Sequence, residues 1–310
     1  MGQIQTLHFR SFKWINITHP REKEIEYLKD KFSFHPLDLQ DCLKPTHRSK
    51  IDIYSDYAFI IFLFPFYNRQ TREIMPAELD FFIGKNYLIS INRVGFSPFG
   101  DFFKLLQVSE EVRNGYCNIS PEKFLYEILN KMFLYCLPMI DHLILDCDNI
   151  EKQMFLNHEK KMVSEILIIR RNIIDFRRIM QVHKNILKKA TEFFMRSPLF
   201  LMKKTEVYYD DLIDYSKEIW DAMESLKERI EVLYQSNESL IQFKLNDIMR
   251  ILTIISVVTF PITLIAAIFG MNTVKAMPFV ETENGFWLVI GIMVLIAATM
   301  LTIFKKKKFL

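Results

Sequence analysis

Residues 246–272 read NDIMRILTIISVVTFPITLIAAIFGMN, and from Ile251 to Phe269 the stretch carries no charged side chain. Residues 286–304, FWLVIGIMVLIAATMLTIF, are uncharged as well. Each run is long enough to cross ~30 Å of hydrocarbon as a helix, and a helix is the form in which a single segment satisfies its own backbone in lipid. Two spans joined by the short polar stretch from Thr273 to Asn284 predict an antiparallel hairpin. Lys244 and Arg250 flank the start of the first span and Lys305 to Lys308 follow the second, whereas the connection holds Lys275 against Glu281 and Glu283. Lysine and arginine collect on the cytoplasmic side, so both ends of the chain are expected there.

Within the first span, Asn246, Met249, Thr253, Ser256, Phe260, Thr263, Ala267 and Gly270 recur at alternating steps of three and four, the spacing that keeps one helix face toward a partner or an axis. That seam is mostly polar or small. Ile251, Ile254, Ile255, Val258, Ile262, Leu264 and Ile265 lie off it and suit lipid or the second span. Hydroxyls and an amide on one face of a span serve either hydrogen bonds between packed helices or the wall of a water-filled path. Two helices enclose no lumen, so a path would require copies of the span around a rotation axis, that is, a homo-oligomer. Pro261 removes a backbone donor, and Thr259 or Thr263 is expected to take up the freed carbonyls.

The span closes on Phe269-Gly270-Met271-Asn272, followed by Met277-Pro278. This resembles the signature of the CorA family of divalent-cation transporters, and the upstream stretches Asn246 to Ile255 and Pro261 to Ala266 are similar to that family's pore helix. The likeness extends to the N-terminal half, where His35-Pro36-Leu37, Leu39-Gln40-Asp41-Cys42-Leu43, Arg48-Ser49-Lys50-Ile51 and Asp56-Tyr57-Ala58-Phe59-Ile60 resemble blocks of the family's cytoplasmic domain. The resemblance implies a funnel-shaped homopentamer in the plasma (inner) membrane that carries Mg²⁺, with Co²⁺ or Ni²⁺ as secondary ions, and is gated by cytoplasmic Mg²⁺. It further implies that Gly270, Met271 and Asn272 form the selectivity filter, that Met249 and Leu252 form an apolar girdle on the pore, and that Asp41 and Asp211 bind regulatory Mg²⁺ between subunits. Asp210, adjacent to Asp211, competes for the last role.

Mg²⁺ gives up its waters reluctantly. A ring of Asn272 amides, one per subunit, would accept hydrogen bonds from those waters without holding the ion too tightly to leave. The alternative role for Asn272 is a helix C-cap, since Asn tolerates the left-handed conformation. A narrow apolar girdle gates by excluding water. Met and Leu in a span more commonly pack helices. Glu281 and Glu283 are candidates for ion capture in the loop; acidic residues do not follow Met277-Pro278 directly, because Phe279-Val280 intervene.

The composition is 50% apolar and 25% charged with a formal net charge of +3, which suits a soluble body attached to a membrane segment. Met1 to Arg10 lacks the apolar core of a signal peptide. Cys42, Cys117, Cys136 and Cys147 show no CxxC pairing and read as cytoplasmic thiols. Up to residue 115, Ile53-Tyr54, Tyr57 to Phe66, Leu79 to Ile83 and Tyr87 to Asn92 read as strands, with Gly84-Lys85-Asn86 as a turn, and Pro20 to Phe32 reads as a helix. Residues 1–115 are therefore expected to form an α/β domain. Residues 116–202 turn helical, with Phe124, Leu125, Ile128, Leu129 and Met132 on one face. Their basic series Arg170, Arg171, Arg177, Arg178, Lys184, Lys188 and Lys189 reads as a solvated face or, by the resemblance, a positive collar near the membrane; nucleic acid is not an expected partner.

Beyond the break at Ser197-Pro198, Leu212, Tyr215, Ile219, Met223, Leu226, Ile230 and Leu233 keep steps of three and four, and no glycine or proline interrupts Val207 to Phe260. One long helix is expected, a stalk over 203–250 continuous with a pore-lining span over 251–272. A loop over 273–284, a second span over 285–304 and a basic tail over 305–310 follow. The fold class is an α+β membrane protein with an N-terminal cytoplasmic α/β domain.

GxxxxGK[ST], HExxH and GxGxxG are absent, the seven histidines lack ligand spacing, and neither an enzyme nor an organic cofactor is expected. Besides Mg²⁺ transport, two readings stay open: a zinc transporter of the same superfamily, and a cytoplasmic interaction module for which the spans are only an anchor.

Overall fold

The computed structural model describes residues 3–46, 48–200, 206–271, 278–279 and 282–307. They fall into two compact units, Met1–Tyr234 and Gln235–Leu310.

The first unit is built on a six-stranded sheet of β1 (Gln3–His8), β2 (Lys13–Thr18), β3 (Lys50–Ile53), β4 (Tyr57–Asn68), β5 (Glu73–Gly84) and β6 (Tyr87–Asn92), in the order β1-β2-β6-β5-β4-β3. β2 and β6 run parallel and the other neighbours antiparallel. The β5–β6 turn is tight: a Cβ on Gly84 would lie 2.4 Å from the ring of Tyr87, so only glycine fits under that ring.

β4 reads as an almost unbroken apolar run because both faces of the sheet are covered. Tyr57, Phe59 and Ile61 point to one side, where with Phe82, Ile89 and Ile91 they bury Ile25 and Leu28 of α1 (Glu22–Lys31) and Leu39 of α2 (Pro36–Asp41). On the other side Trp14 meets Phe99 and Phe103 of α3 (Ser97–Val108), and beyond the short α4 (Glu110–Asn114) it meets Phe124 of α5 (Pro121–Phe155). Phe64 packs edge-on against Phe133 of α5. Helices α6 (Glu159–Met180) and α7 (His183–Arg196) complete this layer.

The helical region is thus three helices, broken at residues 156–158 and 181–182, where no proline or glycine announces a stop. At the first break Asn157 takes φ of 65°, the left-handed conformation that Asn tolerates. β1, β2, α2, α3 and α4 are further elements that the sequence reading did not single out. The expected strand at Leu79 to Ile83 begins six residues earlier, at Glu73.

The long helix α8 runs from Glu206 to Phe269 through Pro261 without interruption. In the first unit its seam is mostly core: Leu212, Ile219, Met223, Leu226, Ile230 and Leu233 are buried and Tyr215 is half-buried. The second unit holds the remainder of α8 and α9 (Gly285–Lys306).

Among the described residues, three helices are long and apolar enough to span a bilayer. The most apolar window of α5 is 39% buried inside the protein, against 6% for α8 and 0% for α9. α5 spends its apolar face on the sheet, and the apolar surface of α8 and α9 is left for lipid or other chains.

Candidate functional site

On α8, all the described seam positions (Asn246, Met249, Thr253, Ser256, Phe260, Thr263, Ala267 and Gly270) are exposed, and so is Leu252. Ile254 is buried, and Val258, Pro261, Ile262, Ile265 and Phe269 are half-buried. On α9 the half-buried positions are Val289, Met293, Ile296, Ala297, Met300 and Phe304. Each set follows helical spacing, and a groove at the far end is lined by Ala266 and Phe269 of α8 with Val289 and Met293 of α9. The polar seam therefore lies off the stripe that α8 turns toward its neighbour. Packing against α9 does not use that seam.

The hydroxyls of that region are oriented by the helix itself. Thr253 Oγ1 donates to Met249 O at 2.7 Å and Thr263 Oγ1 to Thr259 O at 3.0 Å, which leaves the hydroxyl lone pairs pointing outward as acceptors. Thr259 donates to Ile255 O at 2.7 Å. The two hydroxyls expected to relieve Pro261 thus bond the carbonyls of Ile255 and Thr259, on either side of Val257, whose carbonyl the proline frees.

At the helix end, Gly270 N–H donates to Ala266 O at 2.9 Å and Met271 N–H to Ile268 O at 3.2 Å, a tightened last turn. Asn272 of the expected filter and Glu281 of the expected capture loop lie outside the described residues; Glu283 is exposed.

Asp41 ends α2 and is held from two directions. Its backbone carbonyl accepts from Arg93 Nη2 at 2.8 Å, and the same nitrogen reaches Lys44 O and Glu78 Oε1, both at 3.1 Å. Its side chain pairs with Lys50 Nζ at 2.7 Å. Lys50 also meets Asp52 at 2.5 Å and lies 3.9 Å from the buried Asp38, which accepts from Tyr57 Oη at 3.1 Å. Burial, first of all, raises the Asp38 carboxyl above the usual range. Beneath this cluster, burial and then the neighbouring Glu78 push the Asp80 carboxyl well above its ordinary value.

Asp211 is exposed on the first turns of α8 and accepts from Tyr126 Oη of α5 at 3.2 Å. Asp41 and Asp211 have different partners, and among the described residues no group of three or more His, Cys, Asp or Glu side chains is placed to hold a metal ion. Both are accessible hard-oxygen donors of the kind that suit Mg²⁺. Arg93 and Tyr126 were not picked out by sequence reading, and Lys50 only as part of a family-like block with no role of its own; each acts across a fold contact that no local spacing signals.

The arginines of the basic series are paired with carboxylates. Arg170 pairs with Glu231 at 3.1 Å and Arg177 with Glu224 at 2.6 Å, both on α8, and Arg171 pairs with Glu73 at 2.8 Å. Arg177 also stacks over Trp220, 4.7 Å from the ring centre. From α8, Arg229 reaches back to Asp148 at 2.6 Å and Glu151 at 2.9 Å. These charges tie the first half of α8 to α5 and α6.

A two-sided α/β body, one helix running from it into an apolar span, and a second span beside the first define a membrane protein whose first span presents a polar face outward. A model of the family described as CorA-like Mg²⁺ transporter protein matches residues 9–306, and the chain belongs to that family, one of transporters rather than enzymes. Among curated relatives, the cobalt/magnesium transport protein CorA of Thermotoga maritima is 27% identical over 301 residues, 96% of this chain and 83% of the relative. The putative metal ion transporter YfjQ of Bacillus subtilis is 25% identical, covering 95% of this chain and 88% of its own. Among solved structures, the complete CorA magnesium transporter of Methanocaldococcus jannaschii superposes with a TM-score of 0.82 at 21% identity, covering 98% of this chain and 94% of that one.

Proposed function

We propose that this chain is a Mg²⁺ channel, with Co²⁺ and Ni²⁺ as secondary ions, that assembles as a homopentamer in the plasma (inner) membrane with both termini cytoplasmic. The observation that carries this reading is the exposed seam from Asn246 to Gly270, polar or small along most of its length and turned away from the stripe facing α9. Five copies of it around an axis would wall an aqueous path, with Met249, Leu252 and Phe260 as its apolar narrowings and the Thr253, Ser256 and Thr263 hydroxyls as acceptors for the water shell of the ion.

Glu281 and Glu283 attract the cation to the outer mouth. Gly270, Met271 and Asn272 form the filter, in which the amide ring receives the ion with its waters in place. Entry is downhill: a divalent ion crossing an inside-negative potential gains roughly 4.6 kcal/mol per 100 mV, twice the single-charge value. Asp41 and Asp211 of neighbouring subunits bind cytoplasmic Mg²⁺, which bridges their charges and holds the ring closed. Loss of the ion loosens the subunits, and α8 carries the change toward the span as a rigid element.

The test is ion uptake into proteoliposomes with Mg²⁺ and Zn²⁺ reporters, comparing wild type with Asn272→Ala. Mg²⁺ flux that is lost in the variant supports the proposal. Zn²⁺ flux coupled to a proton gradient points to the zinc-transporting reading, and absence of both fluxes points to an anchor.

A further inference from the structure

The ammonium of Lys50 sits where three carboxylates converge. It is 2.7 Å from Asp41 Oδ2, 2.5 Å from Asp52 Oδ2 and 3.9 Å from Asp38 Oδ1, with the charge 5.1 Å from the centre of the Phe59 ring. Lys50 lies on the edge strand β3, where register places it opposite Ile61 of β4. Asp38 is anchored by Tyr57 and the Asp41 backbone by Arg93, so the chain segment that carries Asp38 and Asp41 is held by contacts other than the lysine. Lys50 carries a compact charge on a flexible four-carbon stem. The side chains of Lys50 and Asp41 are each 32% exposed, so water and hydrated ions reach the pair.

From this geometry we infer that Lys50 is a built-in cation that competes with the divalent ion for Asp41 and thereby sets the Mg²⁺ concentration at which the channel closes. The inference rests on the reading of Asp41 as a regulatory ligand. A cation binding Asp41 has to displace the ammonium or share the carboxylate with it against Coulomb repulsion. When the cation departs, the lysine returns, so Asp41 alternates between two counter-charges. Asp52 receives the lysine while the ion is bound, which limits the cost of the exchange.

The size of the effect follows from charges a few ångströms apart at a wet surface. Removing one positive charge beside a divalent ion strengthens its binding on the order of tenfold. Lys50→Met removes the charge and keeps an apolar stem over Phe59, whereas Lys50→Arg keeps the charge.

The experiment measures, on the full-length protein in proteoliposomes, the internal Mg²⁺ that halves uptake, and in parallel the Mg²⁺ that half-protects the chain from limited proteolysis. Lys50→Met should close, and be protected, at about tenfold lower Mg²⁺, with Lys50→Arg near wild type and Asp41→Asn shifted the opposite way. A Lys50→Met midpoint equal to or above wild type, with Asp41→Asn still shifted upward, overturns the competition and leaves the regulatory site standing. If neither Asp41→Asn nor Lys50→Met moves the midpoint, the regulatory reading of Asp41 falls, and this inference falls with it.

Discussion

The phenol of Tyr126 on α5 donates to the carboxylate of Asp211 on α8 at 3.2 Å, across 85 residues of sequence. The phenol belongs to a buried residue and the carboxylate to an exposed one, so a fixed donor orients an acid that faces solvent. The Asp211 charge in turn helps raise the phenol to about 12, behind the larger effect of its own burial.

Tyr126→Phe should therefore act on regulation and not on permeation. The half-closing Mg²⁺ concentration should rise a few-fold, with about 1 kcal/mol lost from stability, the net contribution of a typical intramolecular hydrogen bond. Flux at low internal Mg²⁺ should stay at the wild-type level. Reporter-loaded liposomes at graded internal Mg²⁺ make the comparison, and an unmoved midpoint would show that the orientation of Asp211 is immaterial.

His183 is completely buried among Phe62, Phe64 and Phe133, with ring centres 5.3, 5.4 and 5.8 Å away. Burial pushes its pKa down to about 4. The ordinary value is ~6.5, so between those pH values the unfolded chain binds a proton that the folded one refuses, and stability falls as pH is lowered through this window. The full effect of one such group is about 3 kcal/mol. His183→Leu should be less sensitive than wild type between pH 7 and pH 5 in denaturant melts; parallel curves for the two would mean that this imidazole does not titrate as its surroundings dictate.

The pair of Arg177 with Glu224 at 2.6 Å is reinforced by Trp220 but half open to solvent, and pairs of that kind contribute about 0–1 kcal/mol. Arg177→Ala should lower the melting temperature by only a few degrees. Combined with Arg229→Ala, which unties Asp148 and Glu151, the loss should fall short of the sum of the single losses if the ladder acts as one network, because each single change already forfeits the shared coupling. Additive shifts would make these isolated surface pairs.

Much of the fold was legible because it is written in local periodicity. The spans show as uncharged runs, and the buried stripe Leu212, Ile219, Met223, Leu226, Ile230 and Leu233 shows as steps of three and four. The breaks near Asn157 and Gln181 were not legible, because neither carries proline or glycine and packing decides them. The candidate site was legible only in part. Residue type and family likeness mark Asp41 and Asp211, but the sequence does not reveal that Lys50 neutralises one and Tyr126 holds the other. The arginines of α6 looked like a free basic face for the same reason: their acidic partners, Glu224 and Glu231, lie some fifty or sixty residues away on α8.

Met249 and Leu252 are both exposed on the seam side of α8, and as an apolar girdle they would close the path by excluding water. Replacing both with Ala should leave a residual flux at internal Mg²⁺ that shuts the wild type completely. Full closure of the double variant would place the gate elsewhere.

The central claim is that the face of α8 bearing Ser256 meets water while the adjacent Ile255 meets lipid. A membrane-impermeant cationic thiol reagent applied to proteoliposomes during Mg²⁺ uptake distinguishes the two directly. Ser256→Cys should be modified and its flux blocked, while Ile255→Cys stays unmodified and conducting. Block at Ile255→Cys with Ser256→Cys inert would contradict the account.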